Sequence, residues 1–173
     1  SYTLEANIEF AELTGAADNR LLTGSGSANK LTGGAGIDSL DGGAGNDTLV
    51  GNAGADHLLN SLGKDSLSGG LGDDSYYVDL IKPAAATLAL EDVVGAEALN
   101  AGADTLYLLA GAGITVNTTV FALTLGANIE NLDFSGTVNA LKINATGNVL
   151  NNVITGNAAD NKIDGGTGND TVA

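Results

Sequence analysis

The stretch from Gly33 to Tyr77 reads GGAGIDSLD, GGAGNDTLV, GNAGADHLL, NSLGKDSLS and GGLGDDSYY when written in nines. Position four is glycine in every copy: Gly36, Gly45, Gly54, Gly63 and Gly72. Position six is aspartate in every copy: Asp38, Asp47, Asp56, Asp65 and Asp74. Position eight is apolar: Leu40, Leu49, Leu58, Leu67 and Tyr76. Five consecutive copies in register lie far beyond what a glycine-rich composition gives by chance. Glycine at turn positions permits φ > 0 and close approach of backbones, so carbonyl oxygens can turn inward beside a carboxylate. That is an all-oxygen cage of hard ligands, which suits Ca²⁺ with its 6–8 oxygens at about 2.3–2.6 Å. The last three residues of each nine form a very short strand with one apolar side chain pointing in.

The pattern G-G-x-G-x-D-x-U-x is similar to the calcium-binding nonapeptide of RTX proteins, a known repeat class. The resemblance implies two nonapeptides per turn of a solenoid, so that residues 18 apart stack. Asp38, Asp56 and Asp74 then form one column, and Asn29, Asp47 and Asp65 the other. Carboxylates stacked at roughly 4.8 Å repel unless a cation lies between them. Calcium is therefore expected as part of the core.

Composition agrees with this. The chain of 173 residues carries 21 acidic against 6 basic residues, a net charge of −15, with 26 Gly and one Pro. Nucleic acid needs basic patches and is excluded as a partner. Acidic chains with few aromatics often fail to fold unaided, but a hydrophobic fraction of 43% argues against plain disorder. The charge reads as a folding switch, open without divalent cation and collapsed with it. There is no Cys, hence no disulfide and no thiolate metal site. The longest apolar run, Thr105–Val116, is too short to span a bilayer, and no signal peptide is visible at Ser1. The absence of Met, a start residue included, reads as a fragment of a longer protein.

Around the strong block, residues 1–15 read as the tail of a preceding connector unit. TLEANIE at Thr3–Glu9 recurs as TLGANIE at Thr124–Glu130, and GGAGID at Gly33–Asp38 as GGTGND at Gly165–Asp170. The fragment thus spans slightly more than one period of a long repeat array, whose units touch their neighbours. Residues 16–77 read as a β-roll, with strong repeats at 33–77. Its first nonapeptides are imperfect, with Arg20 and Asn29 at position six, and are expected to hold metal weakly or not at all. Residues 78–146 read as a β-rich connector. Its expected strands are Tyr76–Leu80, Thr87–Asp92, Thr105–Leu109, Ile114–Val120, Phe121–Leu125, Ile129–Phe134 and Leu141–Ile143, with a weaker helical signal at Glu91–Ala101. Pro83 marks the exit from the roll, since proline cannot donate to a ladder. Residues 147–173, GNVLNNVIT, GNAADNKID and GGTGNDTVA, start the next block, with Ile154, Ile163 and Val172 inward.

The phrase LGANIENLDFSG followed by ATGNVLNNVITGNAADNKIDGG resembles spacers between RTX blocks of large proteins exported by type I secretion. The fold implied is all-β, a right-handed parallel β-roll or β-solenoid with a β-rich connector between blocks. Carried over from that family, one site takes Gly34, Gly36 and Asp38 with Gly51, Ala53 and Asp56. A second takes Gly43, Gly45 and Asp47 with Asn60, Leu62 and Asp65. A third takes Asn52, Gly54 and Asp56 with Gly69, Leu71 and Asp74. The family thus implies about three Ca²⁺ sites. Two further sets have weaker ligands: Ser25, Ser27 and Asn29 with Gly42, Ala44 and Asp47; and Asn148, Leu150 and Asn152 with Gly165, Thr167 and Asp170. The partners implied are Ca²⁺ and neighbouring repeats of the parent chain, and the location is extracellular or the bacterial cell surface.

Catalysis would need a constellation, and there is none. The chain has no H-E-x-x-H, no nucleophile elbow, no phosphate-binding loop and no second histidine beside His57. His57, at an outward position seven, reads as a surface residue. Tyr76, Tyr77 and Tyr107 read as packing at the end of the block rather than a sugar platform. The function expected is a calcium-dependent structural module, not an enzyme. The alternatives are a solenoid that binds polysaccharide or ice, or a non-catalytic accessory domain of a secreted enzyme. Position three (Ala35, Ala44, Ala53, Leu62, Leu71) lacks the outward threonine row that ice binding wants.

Overall fold

The structure, a computed structural model, describes residues 1–15, 19–59, 62–81, 89–90, 93–94, 102–110, 120–137 and 141–173. Among these residues every regular element is a strand. In the nonapeptides the strands are short: Arg20–Thr23, Lys30–Thr32, Asp38–Asp41, Thr48–Ala53 and Ser66–Leu71, each followed by a glycine, together with His57–Leu59 and Ser75–Ile81. Alternate strands belong to different sheets, so the chain passes from one sheet to the other with every nonapeptide. In the first sheet Leu22 pairs with Leu40, Leu40 with Leu58 and Leu58 with Tyr76, all parallel. In the second, Leu31 pairs with Leu49 and Leu49 with Leu67. The register is thus 18 residues per turn, a parallel β-solenoid. The position-eight side chains are fully buried and form one core cluster between the sheets.

The first sheet does not stop at the end of the strong block. Ser75–Ile81 is longer than its predecessors and adds Val78 and Leu80 to the core. Thr105–Ala110 pairs with it in parallel, Leu106 against Tyr76 and Leu108 against Val78. Asn131–Asp133 follows, then Val153–Thr155 and Thr171–Val172. The turns widen and then narrow again: Ser75 to Thr105 is 30 residues on, Thr105 to Asn131 is 26, and Asn131 to Val153 is 22. A third sheet, Phe121–Thr124, Ile143–Thr146 and Lys162–Asp164, adds Phe121, Leu123, Ile143 and Ala145 to the same core.

Two expected strands shift. The expected Leu141–Ile143 strand runs Ile143–Thr146, and Ile129–Phe134 shortens to Asn131–Asp133. Ile129, Phe134 and Leu141 are buried at the strand ends instead, so their apolar character reports burial and not ladder pairing. The Thr87–Asp92 expectation retains Ala89–Leu90, which pairs antiparallel with Ser75–Ile81. Pro83, most of Ile114–Val120 and most of the Glu91–Ala101 segment lie outside the described residues. Val172, expected inward, is half exposed because no described strand stacks beyond it. No helix among the described residues is long and apolar enough to cross a membrane.

Candidate metal centre

The strand period of two puts positions six and eight on the same face. Each position-six aspartate therefore points into the same interior as the leucine, or for Asp74 the tyrosine, two residues on. Asp38, Asp47, Asp56, Asp65 and Asp74 are all 2% exposed or less. Burying a carboxylate is costly unless it is paired and hydrogen-bonded. For Asp47, Asp56, Asp65 and Asp74 one oxygen is met by the backbone of the preceding turn, whereas Asp38 accepts from Arg20 Nε at 3.3 Å and, through Oδ2, from Gly34 N–H of its own loop at 2.7 Å. Asp38 N–H donates to Asp56 Oδ1 at 2.7 Å and Asp56 N–H to Asp74 Oδ1 at 2.7 Å. On the other side Asn29 N–H donates to Asp47 Oδ1 and Asp47 N–H to Asp65 Oδ1, each at 2.7 Å. The two columns expected from the spacing are thus continuous ladders.

The second oxygen is the unusual one. Asp47 Oδ2 and Asp56 Oδ2 are buried with no hydrogen-bond partner among the described residues. Burial pushes the Asp56 carboxyl up to about 6, against the hydrogen bond from Asp38, and the neighbouring Asp38 charge raises it further. Burial raises Asp47 too, with Asp65 and Asp41 adding like charge. A buried, anionic oxygen without a donor is what a cation would complete.

The glycines at position one leave space at that oxygen. A Cβ on Gly51 would collide with Asp56 Oδ2 and lie 2.5 Å from the Gly69 carbonyl oxygen. A Cβ on Gly33 would collide with the Gly51 carbonyl oxygen and lie 3.3 Å from Asp38 Oδ2. On Gly42 and Gly69 it would collide with Asp47 Oδ2 and Asp74 Oδ2. Position one is glycine because a carboxylate and the carbonyl of the next turn converge there. Position four is glycine for a different reason: Gly45, Gly54, Gly63 and Gly72 have φ of 133°, 118°, 136° and 124°. No cluster of three or more His, Cys, Asp or Glu side chains in metal-binding arrangement occurs among the described residues. Any cage here is built from paired carboxylates and backbone carbonyls.

A family model for the RTX calcium-binding nonapeptide repeat matches four copies, at residues 23–58, 61–80 and 146–173. The chain carries RTX calcium-binding repeats. No curated protein and no solved structure matches it.

Within the RTX block, the structure brings Asp38 together with the Gly51 carbonyl, and Asp56 with that of Gly69. Several other expected ligand carbonyls also carry ladder bonds. Gly34 O accepts from Ala53 N–H at 3.3 Å and Gly43 O from Leu62 N–H at 3.1 Å. Leu62 O and Leu71 O accept from Gly45 N–H and Gly54 N–H, both at 2.7 Å. Each carbonyl has a second lone pair. Gly36 O and Gly54 O lie against the bare Cα atoms of Gly54 and Gly72. Asn52 takes a φ of 79° at position two, and its Nδ2 donates to Gly33 O at 2.7 Å. Asp65 follows Asp47 in the second column. Asn60 lies outside the described residues.

The first column is longer than the five nines imply. Asp74 N–H donates to Asp104 Oδ1 at 2.8 Å, and Asp104 N–H to Glu130 Oε2 at 2.8 Å. Asp104 is as buried as the repeat aspartates. A signal for it exists in the sequence: LNAGADTLY at Leu99–Tyr107 differs from GNAGADHLL at Gly51–Leu59 at positions one, seven and nine. A search in a fixed frame of nine passes over it, because it follows a 30-residue turn. No local pattern marks Glu130.

Proposed function

We propose that the chain is a calcium-dependent structural module of a secreted or cell-surface protein exported by a type I system. It stays open where free Ca²⁺ is scarce and folds outside the cell. In this reading residues 16–77 are one ion-binding block, 78–146 a connector, 147–173 the start of the next block and 1–15 the tail of a preceding connector. The module itself has no catalytic role.

The observation that carries the reading is the pair of buried, unpartnered oxygens, Asp47 Oδ2 and Asp56 Oδ2, in cradles that a Cβ would fill. Calcium supplies two positive charges and accepts all-oxygen ligation of flexible geometry. The three sets that would hold it are Gly34, Gly36, Asp38, Gly51, Ala53 and Asp56; Gly43, Gly45, Asp47, Asn60, Leu62 and Asp65; and Asn52, Gly54, Asp56, Gly69, Leu71 and Asp74. Extracellular calcium modules bind at about 10⁻⁴–10⁻³ M, and that binding energy adds to folding by linkage.

A polysaccharide-binding reading is less well supported. Tyr77 and Tyr107 stack on one another at 4.9 Å and 9°, so the two facing ring surfaces are not open to a sugar. The deciding measurement is far-UV circular dichroism of the chain in chelator and in millimolar Ca²⁺. Strand signal is expected to appear with Ca²⁺ and vanish with chelator. A spectrum indifferent to both would sink the proposal.

A further inference from the structure

The strand register places Arg20, the only arginine in the chain, directly against Asp38 at the head of the first column. The members that follow it, Asp38, Asp56, Asp74, Asp104 and Glu130, are all carboxylates. The guanidinium turns toward the cage. Arg20 Nε donates to Asp38 Oδ1 at 3.3 Å and Nη2 to Asp38 Oδ2 at 3.5 Å. On its other side Nη1 donates to Thr14 O at 3.0 Å and Nη2 to Gly15 O at 3.3 Å. It is thus surrounded by carbonyls of its own turn and a carboxylate of the next, the same classes of ligand that surround the cradles below. A Cβ on Gly34 would collide with Arg20 Nη2, so the guanidinium also fills space that a glycine leaves open.

The second column begins differently. Asn29 stands at its head, and its Nδ2 donates to Ile8 O at 2.7 Å while its Oδ1 accepts from Ser25 N–H at 2.7 Å. In the C-terminal block Asn152 does the same, with Nδ2 donating to Ile129 O and Glu130 O at 3.2 and 3.0 Å. At all three heads, position six is a donor to carbonyls of the preceding unit. Only Arg20 brings a full charge.

We propose that the Arg20 guanidinium is a built-in cation that stands where an ion would otherwise sit above Asp38. It ends the ion column and ties the roll to the Thr14–Gly15 backbone without metal. The arrangement fits the chemistry of the group: guanidinium is always charged, presents five donors, and is more weakly hydrated than an ammonium. This inference rests on the calcium reading, since it concerns where ion binding stops.

The test is native mass spectrometry of the full chain at saturating Ca²⁺, counting ions in wild type, Arg20→Asp and Lys30→Asp. Arg20→Asp restores a carboxylate at position six and is expected to bind one ion more than wild type. Lys30→Asp makes the same charge change on the exposed side of the neighbouring strand and is expected to keep the wild-type count. An Arg20→Asp chain that folds with the wild-type count, or that stays unfolded at every Ca²⁺ concentration, overturns the proposal. So does an equal gain in both variants. Nitrogen NMR of the calcium-loaded wild type supplies a second reading that needs no variant. The single Arg Nε–H is expected to exchange slowly with solvent, and exchange at the rate of the unfolded chain overturns the assignment. A wild type that binds no Ca²⁺ is a separate outcome: it removes the calcium reading itself, and this inference with it.

Discussion

Residues 20–81 and residues 102–137 both contribute parallel strands to the first sheet but are held to it by different means. In the first region every turn is 18 residues, and every described loop puts a carboxylate, or its Arg or Asn replacement, under the next. In the second the turns vary, and among the described residues the carboxylate ladder continues through Asp104 and Glu130. What persists across both is the inward apolar row: Leu40, Leu58, Tyr76, Leu106, Leu132 and Ile154 pair one after another. The sheet thus needs the apolar row, whereas the cages need the glycines and aspartates. A turn may lengthen by a dozen residues without breaking the first requirement, because extra loop length costs little entropy.

The largest expected effect separates the two regions directly. On chelation, amides of Asp38–Asp41, Thr48–Ala53, His57–Leu59 and Ser66–Leu71 should lose hydrogen-exchange protection before those of Thr105–Ala110 and Phe121–Thr124. Simultaneous loss in both would mean that metal cages and connector are one cooperative unit, and the contrast would fall. Next in size is Leu132→Ala, which removes a fully buried side chain from the second region. It should cost about 2–5 kcal/mol in denaturant unfolding of the calcium-loaded chain. Its Ca²⁺ count should stay that of wild type, and a lost ion would show that the core and the cages are coupled.

A smaller effect compares two glycines. Gly51→Ala drives a methyl into Asp56 Oδ2 and should cost about 1–3 kcal/mol through overpacking, while weakening Ca²⁺ binding in calorimetric titration. Gly136→Ala meets nothing nearer than Leu109 Cδ2 at 3.9 Å among the described residues and should stay within about 0.5 kcal/mol of wild type. Equal Ca²⁺ affinity in the two variants would contradict the cradle assigned to Gly51.

The smallest effect is in pH. Burial raises Asp47 and carries Asp56 from 3.8 to about 6. Between those values the metal-free fold binds more protons than the unfolded chain. Its stability is therefore fullest below the ordinary carboxylate value and is lost as pH rises through about 6. In chelator, circular dichroism should show strand content growing as the pH is lowered through that window. Ca²⁺ affinity should move the other way, since the ion must displace those protons. Strand content that falls on acidification would show that these two carboxylates do not limit the metal-free fold.

Much of this was legible in the residues. The Asp columns and the leucine core follow from one register, because a period of nine and two nines per turn leave each position a fixed neighbour. Asp104 was legible in principle, as the likeness of LNAGADTLY to GNAGADHLL shows, but its 30-residue turn hid the stacking. Glu130 was not legible, since nothing local distinguishes it from a solvated glutamate. Nor was the role of Arg20, whose place at position six reads as a defect until its guanidinium is seen against Asp38, Thr14 and Gly15.

By itself, then, the sequence determined the pitch of the roll and the inward row of positions six and eight in the repeats. These depend on strand alternation and glycine backbone freedom, which are local. Only the tertiary structure decided that residues 102–137 share the sheet, that the column runs on to Asp104 and Glu130, and that a guanidinium stands at its head. The first two join residues across turns of unequal length, where stacking is set by side-chain packing and not by spacing; the third spans a regular turn, but the direction of a guanidinium is a side-chain contact that spacing does not specify.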